Sequence, residues 1–241
     1  MPWFKDWFDS PYYHLLYGKR DDKEAGAFIR NLVQFLAPVK GSRMLDLACG
    51  KGRHSRILAA MGFDVTGIDL SQNSINEASR YSSETLHFKV HDMRTPFSRN
   101  EFDYVFNLFT SFGYFENEDD NIRTLESVRE CMTGKGLFIQ DYFNANIIPE
   151  HFRAQETKMV DGVEFVIRKT IDHKRIVKCI NFCDKGVDYD FREKVSLFNY
   201  DDFKAMYRKT GFHILHTFGD YNLGPFDTER SERLIIISER E

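Results

Sequence analysis

A chain of 241 residues with 42% hydrophobic content can bury one substantial core, so a single domain over residues 1–241 with an insertion is expected. A formal net charge of −4 gives no general pull on phosphate backbones, which argues against a nucleic-acid partner. No run of about 18 apolar residues and no basic start before a short apolar stretch occurs, so no membrane span or secretory signal is expected, and the expected location is cytoplasmic.

Residues 1–21 carry Trp3, Phe4, Trp7 and Phe8, then Ser10-Pro11-Tyr12-Tyr13-His14-Leu15-Leu16-Tyr17. So many aromatic residues before the first strand predict a short helix or lid, or a cover over one end of a sheet. From Glu24 to Ala37 the residues Phe28, Leu32, Phe35 and Leu36 recur at helical spacing, a core-facing stripe. Pro38 and Gly41 then break that helix.

Met44 to Ala48 reads as strand one, Arg53 to Met61 as a helix and Phe63 to Ile68 as strand two. Gln72 to Tyr81 reads as the next helix, capped by Asp69 or Ser71, and Thr85 to Val90 as strand three. Phe102 to Leu108 is nearly continuously apolar, the pattern of a central parallel strand covered on both faces. Ile122, Leu125, Val128 and Met132 form the inner stripe of a helix, and Gly136 to Gln140 is strand five. This alternation of strands and helices predicts a parallel sheet with ligands at the carboxyl ends of its strands.

From about Thr157 the period shortens to two. Val163, Phe165 and Ile167, then Ile176 and Ile180, then Val187, Tyr189 and Phe191 alternate along the chain, and Asp161-Gly162 and Asp184-Lys185-Gly186 signal hairpins. Residues 155–199 are therefore expected to form an inserted antiparallel β subdomain. A helix from Tyr200 to Thr210 and strands His213 to Phe218 and Arg233 to Ser238 close the chain.

The most informative stretch joins strands one and two. Gly50 and Gly52 follow an apolar strand and have no Cβ, so a ligand can lie against the main chain there. Asp69 ends the next strand, 19 residues after Gly50, where its carboxylate can accept from both hydroxyls of a ribose. A dinucleotide loop wants a third glycine where this chain has Ser55, so a pyrophosphate cradle is not expected. Of four cysteines, Cys49 lies in this loop and Cys131 in a helix, while Cys179 and Cys183 lack the spacing and histidine partners of a zinc site; no metal is expected.

Asp46, the loop Ala48-Cys49-Gly50-Lys51-Gly52, Asp69, the pair Asp92-Met93 and the strand Asp103 to Asn107 resemble, in order, the motifs of class I S-adenosylmethionine-dependent methyltransferases. The resemblance covers roughly residues 25 to 145. It implies a Rossmann-like doubly wound sheet of seven strands in the order 3-2-1-4-5-7-6, the last strand antiparallel. It implies S-adenosylmethionine as cofactor, with S-adenosylhomocysteine as product. Gly50 and Gly52 would meet its methionine part, Asp69 its ribose, and Asp92 and Met93 its adenine, with Asp46, Ala48 and Leu70 also at the cofactor. The backbone of Asn107 would receive the amino group. The inserted antiparallel sheet, with the segments Pro11 to Tyr17 and Phe109 to Tyr114, is similar to glycine and sugar N-methyltransferases, which implies a small-molecule acceptor methylated at nitrogen or oxygen.

Transfer from a sulfonium is an in-line displacement, for which alignment and exclusion of water supply much of the acceleration. A hydroxyl acceptor calls for a base such as His14, Asp141 or a tyrosine, and Tyr13 and Tyr17 could close over the methyl group, Tyr13 first and also at the cofactor. His54, beside Arg53, is a candidate for the methionine carboxylate. After strand four, Asn107-Leu108-Phe109-Thr110 lacks the two prolines found in enzymes that methylate base amines, again against nucleic acid. The insertion offers a surface for a homodimer. Two alternatives are a non-catalytic protein that binds S-adenosylmethionine or its product, and a nicotinamide-dependent oxidoreductase.

Overall fold

The computed structural model describes residues 3–18, 22–148 and 152–241. Residues 1–2 and 19–21 of the expected lid segment lie outside the described residues. Two short helices, α1 (Trp3–Phe8) and α2 (Pro11–Tyr17), precede α3 (Asp22–Leu36). The core unit runs β1 (Arg43–Leu47), α4 (Arg53–Ala60), β2 (Asp64–Asp69), α5 (Gln72–Ala78), β3 (Leu86–Val90), β4 (Phe102–Asn107), α6 (Glu118–Cys131) and β5 (Met132–Phe143). An insertion of β6 (Gln155–Val160), β7 (Val163–Asp172), β8 (Arg175–Asp184) and β9 (Val187–Ser196) follows. The chain closes with α7 (Tyr200–Thr210), β10 (Phe212–Phe218) and β11 (Arg233–Arg240).

The seven-stranded sheet has the order β10-β11-β5-β4-β1-β2-β3, with β11 antiparallel to both neighbours, as the family resemblance implies. Alternate residues of its strands feed two cores. Leu45, Leu47, Val105, Phe138 and Ile236 pack with Leu125 and Val128 of α6 and Phe203 and Tyr207 of α7. Met44, Val65, Phe106, Ile139 and Ile235 pack with Phe28, Ile29 and Leu32 of α3, Leu58 of α4 and Ile75 of α5. Burial on both faces is why these strands read as continuous apolar runs.

The four-stranded sheet is an antiparallel meander, β6-β7-β8-β9. Its turns place Asp161 and Gly162, His173 and Lys174, and Lys185 and Gly186 at positive φ, the backbone of two-residue turns that match strand twist. The N-terminal aromatics pack against this inserted sheet, and Phe8, Tyr13 and Tyr17 also line the cleft at the carboxyl ends of the main one. Trp7 and Leu16 are buried with Val163, Phe165, Ile167, Ile180 and Phe182. At the centre lies Glu193, 5% exposed, facing Lys178 across the β8–β9 pair at 2.9 Å. Glu193 also accepts from the Trp7 indole N–H at 2.6 Å and the Tyr17 hydroxyl at 3.1 Å. A buried charge needs such partners. Trp7→Phe, which keeps an aromatic ring beside Phe191 and removes one charged hydrogen bond, is expected to cost about 2 kcal/mol in urea unfolding. An unchanged midpoint would show the indole N–H to be dispensable.

Both ends of β5 differ from expectation. Met132 begins β5, pairing with Phe102, instead of ending the α6 stripe, and β5 extends past Gln140 to Phe143. The residues after Gln140 gain a partner that the sequence does not reveal locally, since Asp141, Tyr142 and Phe143 pair with β11.

Candidate active site

The loop after β1 takes left-handed backbone at Ala48, Gly50 and Gly52, with φ of 55°, 56° and 76°. A Cβ on Gly50 would meet nothing within 4 Å, and Gly50 lines a cleft of about 900 Å³ at the carboxyl ends of the strands. Gly52 differs from expectation. A Cβ there would lie 2.5 Å from the Phe88 ring, so its bareness serves packing of α4 on the sheet, and it does not line the cleft. At the position of a dinucleotide loop's third glycine, buried Ser55 donates to Asp46 at 2.6 Å. Asp46 is 2% exposed, and burial pushes its carboxyl up to about 7 against the help of that bond.

Asp69 receives donors from two loops. One oxygen accepts the Gly50 N–H and the other the Ser71 N–H, each at 2.8 Å. Burial raises its pKa although these backbone bonds oppose the shift. A backbone bond from Leu70 opposes the shift as well, and ribose hydroxyls arriving from the cleft would be further donors to this carboxylate. The Ser71 hydroxyl caps α5 by accepting the Ser74 N–H at 3.0 Å and donates to Asp9 at 2.5 Å. Asp9 also accepts the Asn73 N–H at 3.0 Å. This tie between the N-terminal segment and the loop after β2 was not legible, because an acid before Ser10-Pro11 reads as part of the α2 start.

Further along the cleft, Asp92 and Met93 follow β3 beside His91. Arg94 grips Asp92 with Nε at 3.0 Å and Nη2 at 2.7 Å and reaches Asp120 at 2.8 Å. Burial works to raise the Asp92 carboxyl, but the Arg94 bonds prevail and hold it below the ordinary carboxylate range.

Part of the cleft lining is aromatic. Phe8, Tyr13, Tyr17, Tyr114 and Phe115 form it together with His14. Tyr13 packs edge-on to Phe8, and Phe8 edge-on to Tyr114. His14 Nε2 lies 3.2 Å from the Ser74 hydroxyl, and burial, with Lys51 nearby, lowers its pKa and keeps the imidazole neutral near pH 7. Of the residues expected at the site, Tyr13, His14, Asp46, Ala48, Gly50, His54, Asp69, Leu70, Asp92 and Met93 line the one cleft.

Asn107 and Asp141 do not line it. The Asn107 side chain is buried and donates to the Leu47 carbonyl at 3.5 Å, and the next residue, Leu108, faces the cleft instead. Asp141 is unsuited to act as a base, because it is fully buried and ion-paired with Arg233 at 2.7 Å. The sequence passed over Phe109, Thr110 and Ser111 as individual lining residues; their left-handed backbone at Phe109 and Thr110 leaves no mark in residue type. A cradle open at Gly50, a half-buried carboxylate at Asp69 lining the cleft and an aromatic wall fit an adenosine ligand carrying an amino-acid tail.

The comparisons agree with this geometry. The methyltransferase domain family matches residues 44–136. A Bacillus subtilis protein named as methyltransferase YqeM is 30% identical over 217 residues, covering 84% of this chain and 85% of that protein. Glycine/sarcosine N-methyltransferase of Aphanothece halophytica is 26% identical over 210 residues, covering 84% and 76%. A solved S-adenosylmethionine-dependent methyltransferase from Clostridium acetobutylicum superposes with a TM-score of 0.80 at 20% identity, over 95% of this chain and 96% of that one. With Ser55 bound to Asp46 in place of a third glycine, the nicotinamide alternative falls away, and the chain belongs to the S-adenosylmethionine-dependent methyltransferases.

Proposed function

We propose that this protein methylates a nitrogen or oxygen atom of a small molecule held at the aromatic part of the cleft. The observation that carries the reading is the continuity of the cavity, which joins Gly50 and Asp69 to Phe8, Tyr13, Tyr17 and Tyr114 in one space of about 900 Å³. When bound, S-adenosylmethionine supplies an electrophilic methyl group. Asp69 would hold its ribose, Asp92 and Met93 border the adenine, and Asp46, Ala48 and His54 border the methionine part.

The aromatic walls exclude water from the displacement and orient the acceptor, which is the main service such a reaction needs. Neutral His14 can take the proton that a hydroxyl acceptor, or an amine arriving protonated, must lose. The relatedness to glycine/sarcosine N-methyltransferase supports a small acceptor, and the insertion is a candidate dimer surface.

The test is transfer of labelled methyl from S-adenosylmethionine into a small-molecule extract, with the product identified by mass spectrometry. Label in a metabolite is the expected result. Tight binding of S-adenosylhomocysteine with no transfer to any extract would favour the non-catalytic reading instead.

A further inference from the structure

After β4 the chain bends twice in the left-handed region, at Phe109 with φ 56° and Thr110 with φ 59°. Two successive side-chain-bearing residues there are strained, because Cβ crowds the following carbonyl oxygen, and the surroundings must hold them. Both line the cleft, with Ser111.

The restraints on this bend converge on one residue. Asp141 Oδ2 accepts the Phe109 N–H at 2.8 Å, and its main-chain carbonyl accepts the Thr110 N–H at 3.0 Å. Asp141 Oδ1 accepts from Arg233 Nε at 2.8 Å and Nη2 at 2.7 Å, and the same Nη2 donates to Thr110 Oγ1 at 3.0 Å. The Tyr221 hydroxyl reaches Oδ2 at 3.3 Å, while its ring stacks on Phe109 at 5.4 Å. Phe109 in turn meets His54 at 5.0 Å and the Arg53 guanidinium at 4.7 Å, both at the start of α4 beyond the glycine loop.

All four lone-pair positions of the Asp141 carboxylate are thereby filled from inside the protein. We infer that Asp141 and Arg233 are positioning residues, a buried ion pair that holds the Phe109–Thr110 bend against its strain and so fixes one wall of the cleft beside the glycine loop. Its geometry stands alone; its consequence for turnover rests on the methyl-transfer reading, since a loosened wall forfeits alignment of the reacting atoms.

The test compares the wild type with Asp141→Asn, which keeps the shape and removes the charge, and Arg233→Lys, which keeps the charge and loses the fork. Hydrogen exchange of the free protein is read by mass spectrometry on the peptide holding the Phe109 and Thr110 amides. Exchange there is expected to rise about thirtyfold in Asp141→Asn and less in Arg233→Lys, with β1 and β2 unchanged. Calorimetry with S-adenosylhomocysteine is expected to give dissociation constants within about threefold of wild type. Labelled methyl transfer is expected to fall at least tenfold, with the shape of the pH profile retained.

Loss of a titrating limb in Asp141→Asn would make Asp141 an acid–base group and overturn the inference. Unaltered exchange at Phe109 and Thr110 in both variants would overturn it as well. A wild type that transfers no methyl group would defeat the functional reading, while the exchange measurement would still decide the clamp.

Discussion

Asp69→Ala is expected to weaken S-adenosylhomocysteine binding by about 3 kcal/mol, roughly two orders of magnitude in Kd. Two charge-assisted bonds to ribose hydroxyls are worth about 1.5 kcal/mol each, and both are lost together. The loss has a second source, because Asp69 also accepts the Gly50 and Ser71 N–H groups and so sets the loop against which the ligand lies. Asp69→Asn keeps one acceptor oxygen and is expected to fall between. The pH dependence has a definite sign: hydroxyl donors favour the ionised carboxylate, so affinity is full above the raised pKa of Asp69 and declines as pH falls through it. Titration calorimetry measures all three effects. A dissociation constant for Asp69→Ala equal to that of the wild type would remove this residue from the site.

Asp46 is expected to make the ligand-free protein less stable as pH rises. Its carboxyl titrates near 3.8 when exposed and is pushed up to about 7 when folded. Below about pH 4 both states hold the proton, and the folded state is at full advantage. Between there and about 7 the unfolded chain ionises while the folded chain keeps its proton, so stability is lost through that window. Asp46→Asn removes the titration and can still accept the Ser55 hydroxyl. Relative to wild type, its stability is expected to improve by about 4 kcal/mol between pH 4 and pH 8. Urea unfolding of both proteins at the two pH values reads this directly. Parallel behaviour would mean that Asp46 is solvated well enough to ionise in place.

Much of the architecture was legible because it rests on local pattern. Apolar runs broken by glycine and by amphipathic segments are what doubly covered parallel strands require, and the resemblance to class I methyltransferases supplied their order. The His173–Lys174 turn was not legible, since neither residue announces the positive φ it adopts. Met132 fits a helical stripe as well as a strand start, and pairing with Phe102 chose the strand. Within the site, Gly50 and Gly52 look alike in sequence, and only the position of Phe88 separates an open cradle from a packing contact.

The strand order came from the family resemblance, while by itself the sequence determined the alternation of strands and helices, the inserted β unit, the glycine loop and the carboxylate ending β2. Each depends on residue type at short range, through bare backbone, periodicity and spacing along one strand, loop, helix and strand unit. Only the tertiary structure decided that Asp141 pairs with Arg233 and lies off the cleft lining, that Trp7 and Tyr17 anchor on Glu193, and that Asp9 joins the Ser71 loop. Those roles depend on partners 92, 186, 176 and 62 positions away, respectively. A carboxylate's chemistry is set by which donors surround it, and donors that distant meet it only once the chain has folded.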